Sequence, residues 1–254
     1  MINYKMKEFQ EQFTDFPIGS YSENVTFYIS LIEKNKDIYG SLKYDVFDKN
    51  KNIYFADGAI GSGKSTIMRN YIIKKEIGNL LYYSPEYYVN YLEHRFNNAD
   101  FMSQYNKAKK FLWEDMQKQI LTGKSFIVES VFTKKEKIDL LKSAIKQGYK
   151  LNGIYVGTFS PDINAERIDK RMQEGSYAIP KEKTIDRYNK SLENLKTVFE
   201  ISDTFMLFDN SCDKPYLKIY KDARHVYIAE TLPVWINNYL LADINLEEYT
   251  YTAH

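Results

Sequence analysis

Residues 52–66, NIYFADGAIGSGKST, constrain this chain more than any other stretch. A short apolar run, Asn52 to Asp57, leads into Gly58-Ala59-Ile60-Gly61-Ser62-Gly63-Lys64-Ser65, which fits the pattern G-x-x-x-x-G-K-[ST]. Ile67, Met68, Tyr71 and Ile72 then recur at helical spacing. Strand, glycine loop and helix together form the setting in which backbone N–H groups turn toward phosphate oxygens. The positive end of the helix adds to that attraction. Gly58 through Thr66 are therefore assigned to a nucleotide, with Lys64 on the β- and γ-phosphates and the Ser65 hydroxyl on Mg²⁺. The Lys64 side chain is expected to be partly exposed at the loop.

The rest of the chain repeats the alternation. Apolar runs at 79–84, 125–130, 149–159 and 203–210 predict further strands. Between them lie helical patterns: 100–122 with Ala108, Leu112, Met116 and Ile120 on one face, then Ile138, Leu141 and Ile145 behind a Thr133/Glu136 capping box. Ser84-Pro85 and Ser160-Pro161 read as helix starts. One helix is expected to carry Ile185, Tyr188, Leu192, Leu195 and Phe199. Such alternation implies an α/β fold, a mainly parallel sheet with helices on both faces. YLKIYKDARHVYIAE predicts a C-terminal hairpin, followed by a short helix around Trp235 to Leu241. The expected organisation is one domain over 1–254. It comprises an N-terminal helical extension (1–50), a lid region (158–200) and the hairpin and helix within 212–254.

Composition narrows the function. With 35 basic and 34 acidic residues the net charge is +1, which argues against a polynucleotide partner. Cys212 is the one cysteine, so no intrachain disulfide can form. No run approaches transmembrane length and no leader pattern opens the chain, so a cytoplasmic protein without a membrane partner is expected. A GTPase would show N-K-x-D and a D-x-x-G after the loop. A transporter ATPase would show an LSGGQ-like stretch and an apolar strand ending in Asp-Glu. The sequence has none of these.

A small-molecule kinase needs a phosphate loop, a basic lid and a carboxylate near the acceptor hydroxyl. Arg167 and Arg171 lie four apart on a predicted helix, about 100° from a buried Ile168/Met172 arc. Arg187 follows the polar connection EGSYAIPKEK. Guanidiniums on a closing segment can offset the charge of a transferring phosphoryl, although the neighbouring Glu166, Asp169 and Asp186 equally suit a solvated, salt-bridged helix. Glu86 and Glu129 fall at strand ends, the edge of an open sheet where ligands collect. Glu86 also suits the first turn of a helix through the dipole.

The order GAIGSGKST, FIVES, AERIDKRMQEGSYAIPKEKTIDRYNKSLENL and FDNS resembles the zeta-toxin-like family of small P-loop kinases over about residues 53–211. The characterised zeta toxins phosphorylate UDP-N-acetylglucosamine on the sugar 3′-hydroxyl. The resemblance implies ATP and Mg²⁺ as cofactors, a UDP-sugar acceptor and an antitoxin partner. It implies that Lys64 and Ser65 serve phosphates and metal, that Arg171 and Arg187 are lid arginines, and that Glu129 contacts the acceptor. The family's general base is an aspartate after the second strand. Here that place reads Ser84-Pro85-Glu86, so Glu86 is the expected base, and Ser130 follows Glu129 where relatives commonly have Thr. Two other functions are open to such a chain. One is a nucleotide-binding interaction protein without turnover, the other a kinase for nucleosides or polynucleotide ends.

Overall fold

The computed structural model describes residues 10, 20–39, 50–93, 101–130, 134–174, 176, 179–223, 225–242, 244 and 250–253. Within them an eight-stranded sheet has the order β2-β3-β1-β4-β5-β6-β7-β8. Its strands are β1 (Asn52–Asp57), β2 (Leu81–Tyr83), β3 (Phe126–Glu129), β4 (Lys150–Gly157), β5 (Thr204–Asp209), β6 (Tyr216–Asp222), β7 (His225–Ile228) and β8 (Thr250–Ala253). The first five pair in parallel. The expected hairpin supplies β6, antiparallel to β5, and β7, antiparallel to β6, and β8 returns parallel to β7.

Strand alternation divides the core between the two faces. Ile53, Phe55, Leu151, Tyr155, Phe205 and Leu207 belong to one cluster, while Ala56, Ile154, Val156, Met206 and Phe208 belong to the other. The second face is covered by α1 (Tyr21–Lys34), α2 (Lys64–Lys74) and α3 (Pro85–Glu93). The first is covered by α4 (Phe101–Thr122), α5 (Lys135–Lys146), α7 (Lys181–Glu193), α8 (Leu195–Ile201) and the short α9 (Val234–Ile236), which runs into a π-helical turn at Asn237–Leu241. Between α5 and α7 lies α6 (Pro161–Gln173), capped by the Ser160 hydroxyl with Pro161 in its first turn.

This arrangement dictates where a ligand can sit. β1 and β3 are adjacent and parallel, yet β1 leads to α2 on one face and β3 leads to α5 on the other. Connections diverging to opposite faces open a crevice at the carboxyl ends of the two strands. No helix among the described residues is long and apolar enough to cross a membrane.

Several local expectations are corrected. The second strand is shorter than 79–84. The helix expected through Phe199 is two, because the chain breaks at Asn194 before α8 resumes the same apolar face. Ile145 and Met172 keep helical spacing with buried neighbours but are 38% and 40% exposed, since each lies in the last turn of its helix. Thr133 lies outside the described residues, and the N-cap of α5 is Lys134, which makes no side-chain cap bond.

Candidate active site

The phosphate loop is clamped from two sides. At Gly61, φ is +79° and a Cβ would come within 2.5 Å of the Asn164 carbonyl. At Gly63, φ is +95° and a Cβ would meet the Asn210 amide at 2.3 Å. Only glycine fits such left-handed, crowded positions. The same two residues also bond the loop through their side chains: Asn164 Nδ2 donates to the Ile60 carbonyl (3.0 Å) and Asn210 Nδ2 to the Ser62 carbonyl (2.8 Å). Thr158 in turn donates to Asn164 Oδ1 at 2.5 Å. The Ser62 hydroxyl is buried in the loop with no hydrogen-bond partner among the described residues, a group a ligand could satisfy.

Lys64 is only 9% exposed and counts as buried, against the expectation of a partly exposed side chain. Its Nζ turns back to donate to the Ala59 carbonyl at 3.3 Å. Burial lowers its pKa, and the carboxylates of Glu129 and Glu86 oppose that shift. Glu129 closes β3 beside it. Ser65 Oγ donates to Glu129 Oε1 at 2.6 Å, and the Tyr82 hydroxyl donates to Oε2 at 2.7 Å. Burial raises the Glu129 pKa, while Lys64 and the two hydroxyl donors pull it down. Beneath this pair Tyr28 stacks on Tyr82 with centroids 4.3 Å apart, and its hydroxyl donates to the Ser65 carbonyl at 2.6 Å. The tyrosines of α1 and β2 thus support the loop from below. Neither was singled out from the sequence, where their only signal is membership of an apolar stripe.

Glu86, in the first turn of α3, forms an ion pair with Arg171 from the last turn of α6. The two side chains are 16% and 24% exposed. The paired arginines of the sequence part company. Arg171 joins the site, whereas Arg167 Nη2 donates to the Cys212 carbonyl at 3.3 Å, beside the turn after β5. Arg187 is half-buried on α7 and lines a cavity of about 670 Å³ that also reaches Lys64, Glu86 and Glu129. The parts expected from the sequence are therefore brought together: loop residues, two carboxylates and Arg187 around one cavity, with Arg171 joined through Glu86.

The cavity wall adds what the sequence reading missed. Its apolar lining includes Tyr83, Leu112, Trp113 and Val128. Lys109, Lys134 and Lys137 line it too, together with Arg187. Burial, aided by the charges of Lys109, Arg187 and Lys134, lowers the Lys137 pKa to about 7, and its Nζ donates to Ser130 Oγ at 2.5 Å. Lys109 is lowered in the same way, by burial first and then by Lys134 and Arg187. Cations crowded enough to depress one another favour an anion between them.

Magnesium fits this site. It prefers one or two protein oxygens completed by phosphates and water, and the contacting Ser65 hydroxyl and Glu129 carboxylate supply that number beside the loop. Among the described residues no cluster of three or more His, Cys, Asp or Glu offers an all-protein metal cage.

The fold is shared with solved structures. The AvrRxo1-ORF1:-ORF2 complex with ATP superposes with a TM-score of 0.57 at 12% identity, covering 82% of this chain and 66% of that one. This chain thus spans slightly less than two thirds of that relative's length. The toxin–antitoxin system PezAT of Streptococcus pneumoniae gives a TM-score of 0.50 at 15% identity, covering 78% of this chain and 82% of that one. No curated protein matches the chain in sequence. The Zeta toxin family profile matches residues 37–213, which hold the phosphate loop, both carboxylates and both arginines, and the chain belongs to that family.

Proposed function

We propose that this chain is an ATP-dependent phosphotransferase that acts on a hydroxyl of a small anionic molecule and serves as the toxin of a toxin–antitoxin pair. One observation carries the reading: the cavity lined by Lys64, Glu86 and Glu129 is lined as well by Lys109, Lys134 and Lys137. A phosphate donor seated in the loop would face that cavity. The lysines suit an acceptor with phosphates of its own, and Tyr83 and Trp113 suit a flat or apolar part. A UDP-sugar such as UDP-N-acetylglucosamine has both features and leads the candidates. A solved structure of the same fold that is described as part of the PezAT toxin–antitoxin system supports the antitoxin partner.

In the proposed reaction the loop amides and Lys64 hold the β- and γ-phosphates, for which Lys64 must exchange the Ala59 carbonyl for a phosphate oxygen. Bound magnesium supplies charge neutralisation on those oxygens. Glu86 takes the proton of the acceptor hydroxyl. The acceptor oxygen bonds to the γ-phosphorus as the bond from phosphorus to the bridging oxygen breaks, and ADP leaves. Arg171 and Arg187 offset the charge on the transferring group. Glu129, fixed between Ser65 and Tyr82, orients the acceptor from the strand end.

The ion pair between Glu86 and Arg171 also favours a second reading, in which the two neutralise each other and the chain binds nucleotide without turnover. One experiment separates these. The protein is incubated with labelled ATP and a panel of UDP-sugars, unphosphorylated sugars and nucleosides, and products are identified by mass. A phosphorylated UDP-sugar is the expected product. Transfer confined to uncharged nucleosides would overturn the anionic-acceptor reading, and ATP binding without any product would favour the second.

A further inference from the structure

Tyr21, the first residue of α1, has no part in the chemistry described so far, yet three elements converge on it. Its ring covers the Arg171 guanidinium, with Cζ 4.4 Å from the ring centroid. Its amide donates to Glu174 Oε2 at 3.1 Å, at the C-cap of α6. Its hydroxyl accepts from Asn90 Nδ2 of α3 at 3.4 Å and is also bonded by the Ser176 side chain. One tyrosine therefore ties α1 to α3 and to the end of α6 where the arginine stands.

We propose that Tyr21 is a positioning residue for phosphoryl transfer, holding Arg171 in the pose that meets Glu86 at the cavity. This rests on the reading of Arg171 as a guanidinium for the transferring phosphoryl. Arginine's long stem gives it many rotamers, and a guanidinium that wanders among them is seldom where charge develops. Two of the contacts that hold this one use different parts of the group. Glu86 takes an N–H on the edge, while Tyr21 takes the flat face through its ring quadrupole. The two do not compete. When Glu86 turns to the acceptor hydroxyl, the ring remains as the restraint that keeps Arg171 in place. Helix α1 is thus part of the transfer machinery and does more than cover the sheet.

The test has two arms. With ATP and a competent acceptor, Tyr21→Ala and Tyr21→Leu are expected to lower kcat about tenfold, the effect of losing one half-buried cation–π contact, while ATP affinity stays within about twofold. Tyr21→Phe and Tyr21→Trp keep a ring and should retain most of kcat. In an Arg171→Met background, Tyr21→Ala should cost nothing further. The second arm needs no turnover: in nucleotide-free protein the Arg171 Nε–H relaxation measured by NMR should show more motion in Tyr21→Leu and wild-type order in Tyr21→Phe. An unchanged kcat in Tyr21→Leu, or a lowered kcat with Arg171 as ordered as in the wild type, would overturn the proposal. If the wild-type chain transfers phosphate to nothing, the kinase reading fails, and the NMR arm still decides whether the ring restrains Arg171.

Discussion

Replacing Glu86 by Gln perturbs two things at once, and the structure separates them. The ion pair with Arg171 loses its charge on one side while the amide oxygen can still accept a hydrogen bond. At 16% and 24% exposure the pair lies between surface bridges, worth about 0–1 kcal/mol, and buried ones, whose disruption costs about 3–5 kcal/mol. With the acceptor oxygen retained and the ring of Tyr21 still on the guanidinium, a loss of about 1–2 kcal/mol of stability is expected. The helix dipole contributes a few tenths of a kcal/mol of it. Rate behaves differently. An amide cannot take the acceptor proton, so turnover should fall roughly 10²- to 10⁴-fold while ATP binding barely changes. Urea denaturation measures the first quantity, single-turnover transfer the second and calorimetric titration of ATP the third. A variant that loses about 1–2 kcal/mol of stability yet transfers phosphate within threefold of the wild type would refute the base assignment. It would leave Glu86 as the partner of Arg171 and move the proton to Glu129.

Three further outcomes are expected. Lys64→Ala should abolish transfer without lowering the melting temperature, because burial already disfavours the ammonium; a wild-type rate would contradict the phosphate loop's role. Lys137 has a pKa depressed to about 7 from the ordinary 10.5, so the folded chain binds fewer protons than the unfolded one between those values and its stability should rise with pH across that window. Lys137→Met should remove that part of the rise between pH 7 and pH 9 in urea midpoints and weaken binding of a phosphate-bearing acceptor; a pH profile identical to the wild type would count against the buried ammonium. Hydrogen exchange within 158–190 should slow on adding a non-hydrolysable ATP analogue with Mg²⁺, and unchanged protection throughout would dismiss the lid.

The parts of this protein written in short-range chemistry were legible in the sequence. The limits of β1 coincide with the run NIYFAD because a central strand is buried on both faces, and the loop that follows is defined by spacing alone. What escaped is what the fold brings together from afar. Glu86 and Arg171 lie 85 positions apart, and nothing local to either announces the other. Arg167 and Arg171 share a helix face in projection, yet the turn after β5 captures one and α3 the other. The break at Asn194 was hidden because α8 resumes the apolar face of α7, so the stripe runs on across an interruption of the backbone. The lysine lining was hidden for the opposite reason. Lys109 and Lys137 sit on different helices among many other lysines, and only the cavity between α4 and α5 distinguishes them.

Asn164 and Arg171 stand on the same helix, seven residues apart. Seven residues are almost two whole turns, so both side chains leave α6 in nearly the same direction, about 10 Å apart along its axis. One end of that span is bolted to the phosphate loop through the Ile60 carbonyl, and the other presents the guanidinium. In the proposed reaction the helix would serve as a ruler laid from the phosphate loop to the guanidinium that meets the transferring group. A single residue inserted between the two marks would keep the helix, its cap and most of its burial, yet swing Arg171 by about 100° away from Glu86. The length of this span, as much as the identity of its ends, is therefore part of what the sequence has to preserve.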